Sequence, residues 1–261
     1  MHLSTVLRLL PAFLLLAGLN LAPAQAAVVL DNSAGQTAPT RAGGSEIYQA
    51  PNKGPTPALI SPKVYAFTTG TDLLRLTRLT VRLEAENRGS APVNGEYPTY
   101  TPTSATTVDL LLYSISGVTG EPDRLLRSQS YSLSLGAQAY YDLDFSWVVN
   151  PGTTYALGLQ AYSPDPLATI LWSNLGSSGS NPADAVWTAA HGFAYGATGT
   201  AVAASFYRGQ NDSAWTHSPQ NSSDNAFTLH AEQVPEAGLT STVGLFLAAG
   251  FLLPLSPRRR R

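Results

Sequence analysis

The stretch Tyr140–Trp147, YYDLDFSW, restricts the fold more than any other part of the chain. Tyr141, Leu143, Phe145 and Trp147 fall on one side of a period of two, and Tyr140, Asp142, Asp144 and Ser146 on the other. Strand side chains point alternately to opposite faces, whereas an amphipathic helix needs apolar residues three and four apart. The stretch is therefore a strand with one face buried and one face wet. The same period recurs in Tyr155, Leu157, Leu159 and Ala161, after the turn signal Asn150-Pro151-Gly152, and in Phe227, Leu229 and Ala231.

LLRLTRLTVRLE carries the pattern with one fault. Leu74 and Leu76 share a parity, and Leu79, Val81 and Leu83 share the other. A slip of one residue at Thr77-Arg78 predicts a β-bulge. Val108–Tyr113 is a continuous apolar run, expected near the centre of a sheet. Further strands are expected at Val64–Thr68, Leu125–Leu133, Ala168–Ser173 and Ala203–Tyr207, about nine in all. Gly, Pro, Ser and Asn clusters separate them, and no helical period of useful length occurs in the body. The predicted fold is all-β, a single antiparallel β-sandwich of jelly-roll type over residues 27–233. Two long insertions, Arg88–Thr107 and Leu175–Val202, interrupt it; loops of that length are usually functional or disordered.

Composition narrows the setting. The chain has no cysteine, which removes disulfides, thiolate chemistry and Cys-based zinc sites together. Charged residues make up 12% of it, about half the usual share. Between Ala27 and Gln233 there are 10 basic and 16 acidic residues, a net charge near −6. Such a body argues against nucleic acid as a partner, because that binding rests on neutralising phosphates.

Both ends are built differently from the body. Residues 1–26 place Arg8 before the leucine-rich run Leu9–Leu21 and close on Ala24-Gln25-Ala26, small residues at the positions a signal peptidase reads. This is a secretory signal peptide with cleavage expected before Ala27. Residues 234–261 run from a polar start through the apolar segment 239–255 to Arg258, Arg259, Arg260 and Arg261. As a helix that segment would rise about 25 Å, just enough to span a thin bilayer, and the arginines would stay cytoplasmic as a stop-transfer signal. The run has no polar face with which to pack as an amphipathic helix on the domain.

Val234-Pro235-Glu236, a short polar stretch, an apolar helix and terminal arginines together resemble the PEP-CTERM sorting signal of Gram-negative envelope proteins. The resemblance covers about the last 28 residues. It implies that an exosortase in the membrane recognises the motif, removes the helix and passes the protein outward. The third motif position here is Ala237 in place of proline. The body is similar to a second family, the choice-of-anchor R domain. The likeness rests on the order YAFTTG, LTRLTVRL, VDLLLYS, GEPDRLL, FSWVVNPGTTYALGL and ILWS, and spans about residues 30–232. That family brings no catalytic or binding residues to carry over.

Candidate chemistry is sparse. Asp142 and Asp144 share one strand face, a spacing open to a carboxylate pair, to calcium or simply to a solvated outer face; no aspartate-rich loop stands near to complete a calcium shell. Asp142 with Glu84 or Glu86 would give the two acids of a glycoside hydrolase, but nothing in one sequence pairs them. His191, His217 and His230 lack metalloprotease spacing, and G-x-S-x-G is absent. The aromatic residues Trp172, Trp187, Trp215, Tyr195 and Tyr207 lie in or beside the second insertion and the late strands. Of these, Trp187 and Trp215 have Gly/Ser/Asn-rich neighbours and are the candidate glycan contacts, set against plain core packing. The sequence thus reads as a non-enzymatic exported protein without cofactor or metal. Its expected partners are signal peptidase, an exosortase-like enzyme, the membrane before processing and, as an alternative function, a polysaccharide. Its expected destination is the cell surface or extracellular matrix.

Overall fold

A computed structural model of the chain describes residues 26–31, 44–49, 59–87, 89–93, 97–173, 188–195, 205–208, 212, 214–217 and 225–234. All but Val234 belong to one compact unit, Gln25–Gln233. The signal-peptide residues before Ala26, including Ala24, lie outside the described set, as do Pro235, Glu236, Ala237, the segment 239–255 and Arg258–Arg261. Among the described residues no helix is long and apolar enough to cross a membrane.

The described part is all-β. Its strands are β1 (Ala27–Asp31), β2 (Gly44–Gln49), β3 (Leu59–Ile60), β4 (Lys63–Thr68) and β5 (Leu74–Asn87). Next come β6 (Thr106–Ile115), β7 (Pro122–Leu133), β8 (Ala139–Val149), β9 (Thr154–Tyr162) and β10 (Ala168–Ser173). The last are β11 (Thr188–Ala189), β12 (Ala194–Tyr195), β13 (Ser205–Tyr207), β14 (Thr216–His217) and β15 (Phe227–Gln233). They form two antiparallel sheets. The first runs β11-β1-β15-β5-β10-β2-β3 with β8 also on β5, and the second runs β14-β13-β4-β9-β6-β7 with β12 also on β4.

β5 is the axis of the first sheet. Val81 pairs with both Phe227 and Tyr141, so β15 and β8 lie on opposite edges of β5. Leu83 pairs with both Trp172 and Ala139, so β10 takes over from β15 on the same edge. The predicted irregularity at Thr77-Arg78 is present. Leu76 and Leu79 oppose Ala231 and Leu229, so β5 holds one residue more than β15 across the step, and the register toward β8 shifts at the same place. The bulge turns Leu74, Leu76, Leu79, Val81 and Leu83 all inward despite their change of parity, and each is buried.

The core lies between the sheets. β8 contributes Leu143, Phe145, Trp147 and Val149, β9 contributes Tyr155, Leu157, Leu159 and Ala161, and both obey the alternation visible in the sequence. Val108, Leu110 and Leu112 of β6 join them from the interior of the second sheet. Tyr65 on β4 meets Trp172 on β10 edge to face at 5.3 Å, across the gap between sheets. A small apolar void of about 10 Å³ remains beside them, far below the size of a ligand.

A buried polar clasp ties the same centre. Asn225, fully buried just before β15, accepts from Tyr65 Oη at 2.6 Å and from Ser45 Oγ at 3.1 Å, and gives its own N–H to Tyr65 Oη at 2.9 Å. Its side-chain amide donates to the Trp172 carbonyl, while Trp172 Nε1 donates to Ala226 O at 3.0 Å. Such groups cost several kcal/mol if left unpaired, so this network fixes one packing of the two sheets.

Each open side of the sandwich is closed. On one side, Tyr131 Oη and Gln129 Nε2 of β7 donate to Asp144 O on β8, at 2.7 and 3.0 Å. Burial, reinforced by the Asp144 charge, pushes the Tyr131 hydroxyl up to about 12, so it stays a donor. On the other side, β11 pairs with β1 of the first sheet and β12 with β4 of the second. The turn between them places His191 at φ 54° and Gly192 at φ 73°. Phe193 follows and stacks on Phe67 at 5.8 Å inside the core. Part of the second predicted insertion is therefore a structural turn that joins the two sheets rather than a free loop. The first is tied down as well, because Thr99 bridges to Glu86 and Asn87 N–H donates to Pro98 O at 3.0 Å.

Candidate binding surfaces of the sandwich

The outer face of the second sheet has two halves of opposite character. On one half Ala66, Ala156 and Gly158 leave a shallow pit, bordered by Val64, Leu111, Tyr113 and Phe206. A Cβ at Gly158 would lie 1.9 Å from Lys63 O, so only glycine allows β9 to lie against β4 there. Trp215 fills the pit. Its ring meets Tyr113 edge to face at 5.2 Å, and the Arg208 guanidinium sits 4.9 Å from its centroid. Burial pushes the Tyr113 hydroxyl up, against the pull of Arg208 beside it. Trp215 is only 8% exposed, so its ring anchors the chain around it and offers no open stacking face. Trp172 is a core residue, and Trp187 and the Tyr195 side chain lie outside the described residues.

The other half is open and polar. The register aligns Ser132, Thr107 and Tyr162 in one row across β7, β6 and β9, and Ser130, Asp109 and Gln160 in the next. Ser130 Oγ donates to Asp109 Oδ1 at 2.6 Å and Gln160 Nε2 to Asp109 Oδ2 at 2.9 Å. Tyr162 is 52% exposed, and its ring meets Tyr48 edge to face at 5.9 Å. Sequence reasoning missed this surface because its polar residues are spread over three strands; only the register joins them.

The outer face of the first sheet carries Asp142 and Asp144. Both are exposed and both engage one cation, Arg78, whose Nε donates to Asp144 Oδ1 at 2.6 Å and whose guanidinium lies 3.4 Å from Asp142 Oδ2. Thr80 Oγ1 donates to the other Asp142 oxygen at 2.6 Å. The aspartate pair is a solvated cross-strand ladder, as the blander sequence reading has it. His230, half-buried on β15 next to Arg78, is held below the usual imidazole range by burial and then by that guanidinium, against the pull of Asp142, Asp31 and Asp144. His191 is an exposed turn residue and His217 lies in β14. Among the described residues no group of three His, Cys, Asp or Glu could hold a metal.

Asp165, between β9 and β10, is a buried structural hub that the sequence does not advertise. It accepts from Tyr100 Oη at 2.9 Å, Thr103 N–H at 2.9 Å, Thr103 Oγ1 at 3.0 Å and Leu167 N–H at 3.0 Å. Burial opposes its charge, but these donors outweigh it and hold the carboxyl below the ordinary aspartate range. The carboxylate is consumed in pinning the first insertion and is not poised for chemistry.

Of the residues marked by the sequence, Ala26 is exposed, Ala27 opens β1 and Val234 directly follows β15. No family model matches this chain, and no curated protein and no solved structure matches it either.

Proposed function

We propose that the chain is an exported, non-enzymatic β-sandwich protein of the cell surface or extracellular matrix. In this reading signal peptidase removes residues 1–26, and the PEP-CTERM-like tail, with Val234-Pro235-Glu236-Ala237, its apolar helix and Arg258–Arg261, is the address read by an exosortase-type enzyme. The sandwich would be a jelly roll of the choice-of-anchor R kind. Supporting the topology, chain-distant strands alternate in both sheets, with β15 between β1 and β5, and β9 between β4 and β6. The observation that carries the proposal is that the body forms one compact unit whose first and last strands are paired. β1 and β15 pair with each other from Ala27↔Ala231 onward, and among the described residues the core cluster runs from Val29 to Ala231. A non-enzymatic role is supported by the way Arg78 and Thr80 engage the most suggestive carboxylate pair. Mass spectrometry of the mature protein from its host tests the reading. An N-terminus at Ala27 and a C-terminus upstream of Leu239 are expected; a chain still ending at Arg261 would leave a plain membrane anchor and overturn exosortase processing.

A second reading, a carbohydrate-binding module for exopolysaccharide, is supported by exposed aromatic rings such as Tyr140, Tyr162 and Tyr207. Trp187 remains its contact from the sequence, and Trp215 serves it as a loop anchor. Polysaccharide pull-down separates the two readings: polysaccharide retained by the parent and lost in a Trp187→Ala variant that keeps its thermal transition favours the module, and Trp215→Ala, which removes a packed ring, reports on the anchor.

A further inference from the structure

We propose that the open half of the second sheet's outer face, built on Tyr162, Gln160, Asp109 and Ser130, is the surface on which this protein holds a neutral polysaccharide. The proposal rests on the carbohydrate-binding reading and gives it a site and a ligand class.

An aromatic platform must be exposed and rigid to stack on a sugar. Tyr162 is both: it is 52% exposed, and its ring packs edge to face on Tyr48, itself buried and donating through Oη to Ser163 O at 2.8 Å. Trp215 fails the first condition at 8% exposure. A two-residue step along β6 and β9 leads from the Thr107–Tyr162 row to the Asp109–Gln160 row. There the Asp109 carboxylate is held from both flanks, by Ser130 and by Gln160, so its orientation is set before any ligand arrives. Each carboxylate oxygen has a second lone-pair site, which leaves acceptor capacity for a sugar hydroxyl, and Gln160 adds a carbonyl acceptor. Preorganised polar groups of this kind lose little freedom on binding.

The shape of the face suits an extended chain. β7 contributes Ser128, Ser130 and Ser132 to it, three short, exposed side chains in a column, so that side of the sheet carries no bulky β7 side chain among the described residues. From the β7 row to the β9 row is two strand spacings, about 10 Å, enough for more than one pyranose ring. The charge selects the class. Asp109 is the one acidic side chain, and there is no basic one, among Thr107, Asp109, Ser128, Ser130, Ser132, Gln160 and Tyr162, so the face disfavours uronates and sulfated sugars and suits uncharged hydroxyl-rich chains.

Affinity electrophoresis of the whole protein through gels holding hydroxyethylcellulose, galactomannan or dextran, with alginate as the acidic probe, tests this. Retardation by at least one neutral polymer and none by alginate is expected. Tyr162→Ala should weaken it at least about tenfold while Tyr162→Phe, which keeps the ring, stays close to the parent. Gln160→Ala should weaken it as well. Because the Tyr162 ring is half in water, the thermal transition of Tyr162→Ala should persist, which separates lost binding from lost folding. Retardation that survives Tyr162→Ala but disappears in Trp187→Ala would overturn this site and leave glycan binding standing elsewhere. Retardation by alginate equal to that of the neutral polymers would overturn the ligand class. No retardation in any neutral gel would overturn the site and the carbohydrate reading together.

Discussion

Asp165 shows how much one side chain can organise. Its carboxylate gathers donors from Tyr100, Thr103 and Leu167, and Asn in its place would aim an NH₂ group at those donors. Asp165→Asn is expected to cost about 3 kcal/mol in urea titration at neutral pH. Because the folded-state value lies below the unfolded one, the stability this group adds is complete above about pH 4 and is lost as pH falls through the lowered folded value. The variant should therefore show a flatter fall of stability with acid than the parent. Trp215 gives a second residue-scale expectation. Trp215→Ala removes the ring from its cluster with Val64, Ala66, Tyr113, Ala156 and Phe206 and should lower stability by about 3 kcal/mol, read from the same titration. Neither role can be seen in the sequence, where Asp165 sits in a Ser-Pro-Asp-Pro turn and Trp215 among small polar residues. For Asp165 the fold brings Thr103 and Tyr100 of the first insertion from 62 and 65 residues away, and for Trp215 it brings side chains of strands β4, β6 and β9.

Strands with a strong alternation announce themselves, and those without it do not. β8 follows its sequence period residue by residue, β9 sends its predicted residues inward although Ala156 and Gly158 are buried too, and even the fault in β5 is where the parity changes, since a bulge is written in the side chains that must stay inward. β2 was hidden because GSEIYQ offers only Ile47 and Tyr48 to the core. The two-residue strands β11 and β12 are too short for any period; their signal is the turn His191-Gly192 and the lone Phe193. That turn and its two short strands link both sheets, so the segment is predicted to behave as one unit. Phe193→Ala should cost about 3 kcal/mol, and it should speed proteolytic cutting within residues 188–195 before the rest of the chain opens. Gly192→Val, which forces a branched side chain to φ 73°, should act in the same direction by about 1–2 kcal/mol.

At the scale of the molecule, fold class was legible and ligand was not. Alternation, turn residues and the want of helical periods determine an all-β sandwich; a binding face is a matter of register, which no single strand records. The compact body makes a plain prediction. Residues 27–233 expressed alone should keep a cooperative thermal transition, and its disappearance would mean that the flanking segments belong to the fold. The placement of β15 has a mechanical consequence. It lies between β1 and β5, antiparallel to each, from Phe227 to Gln233, with the start of β1 beside its end. A pull on the C-terminal end therefore acts along β15 and strains both its ladders lengthwise. Those hydrogen bonds must shear together instead of peeling one at a time, so a domain tugged from that end by flow would yield abruptly, at high load, rather than unravel.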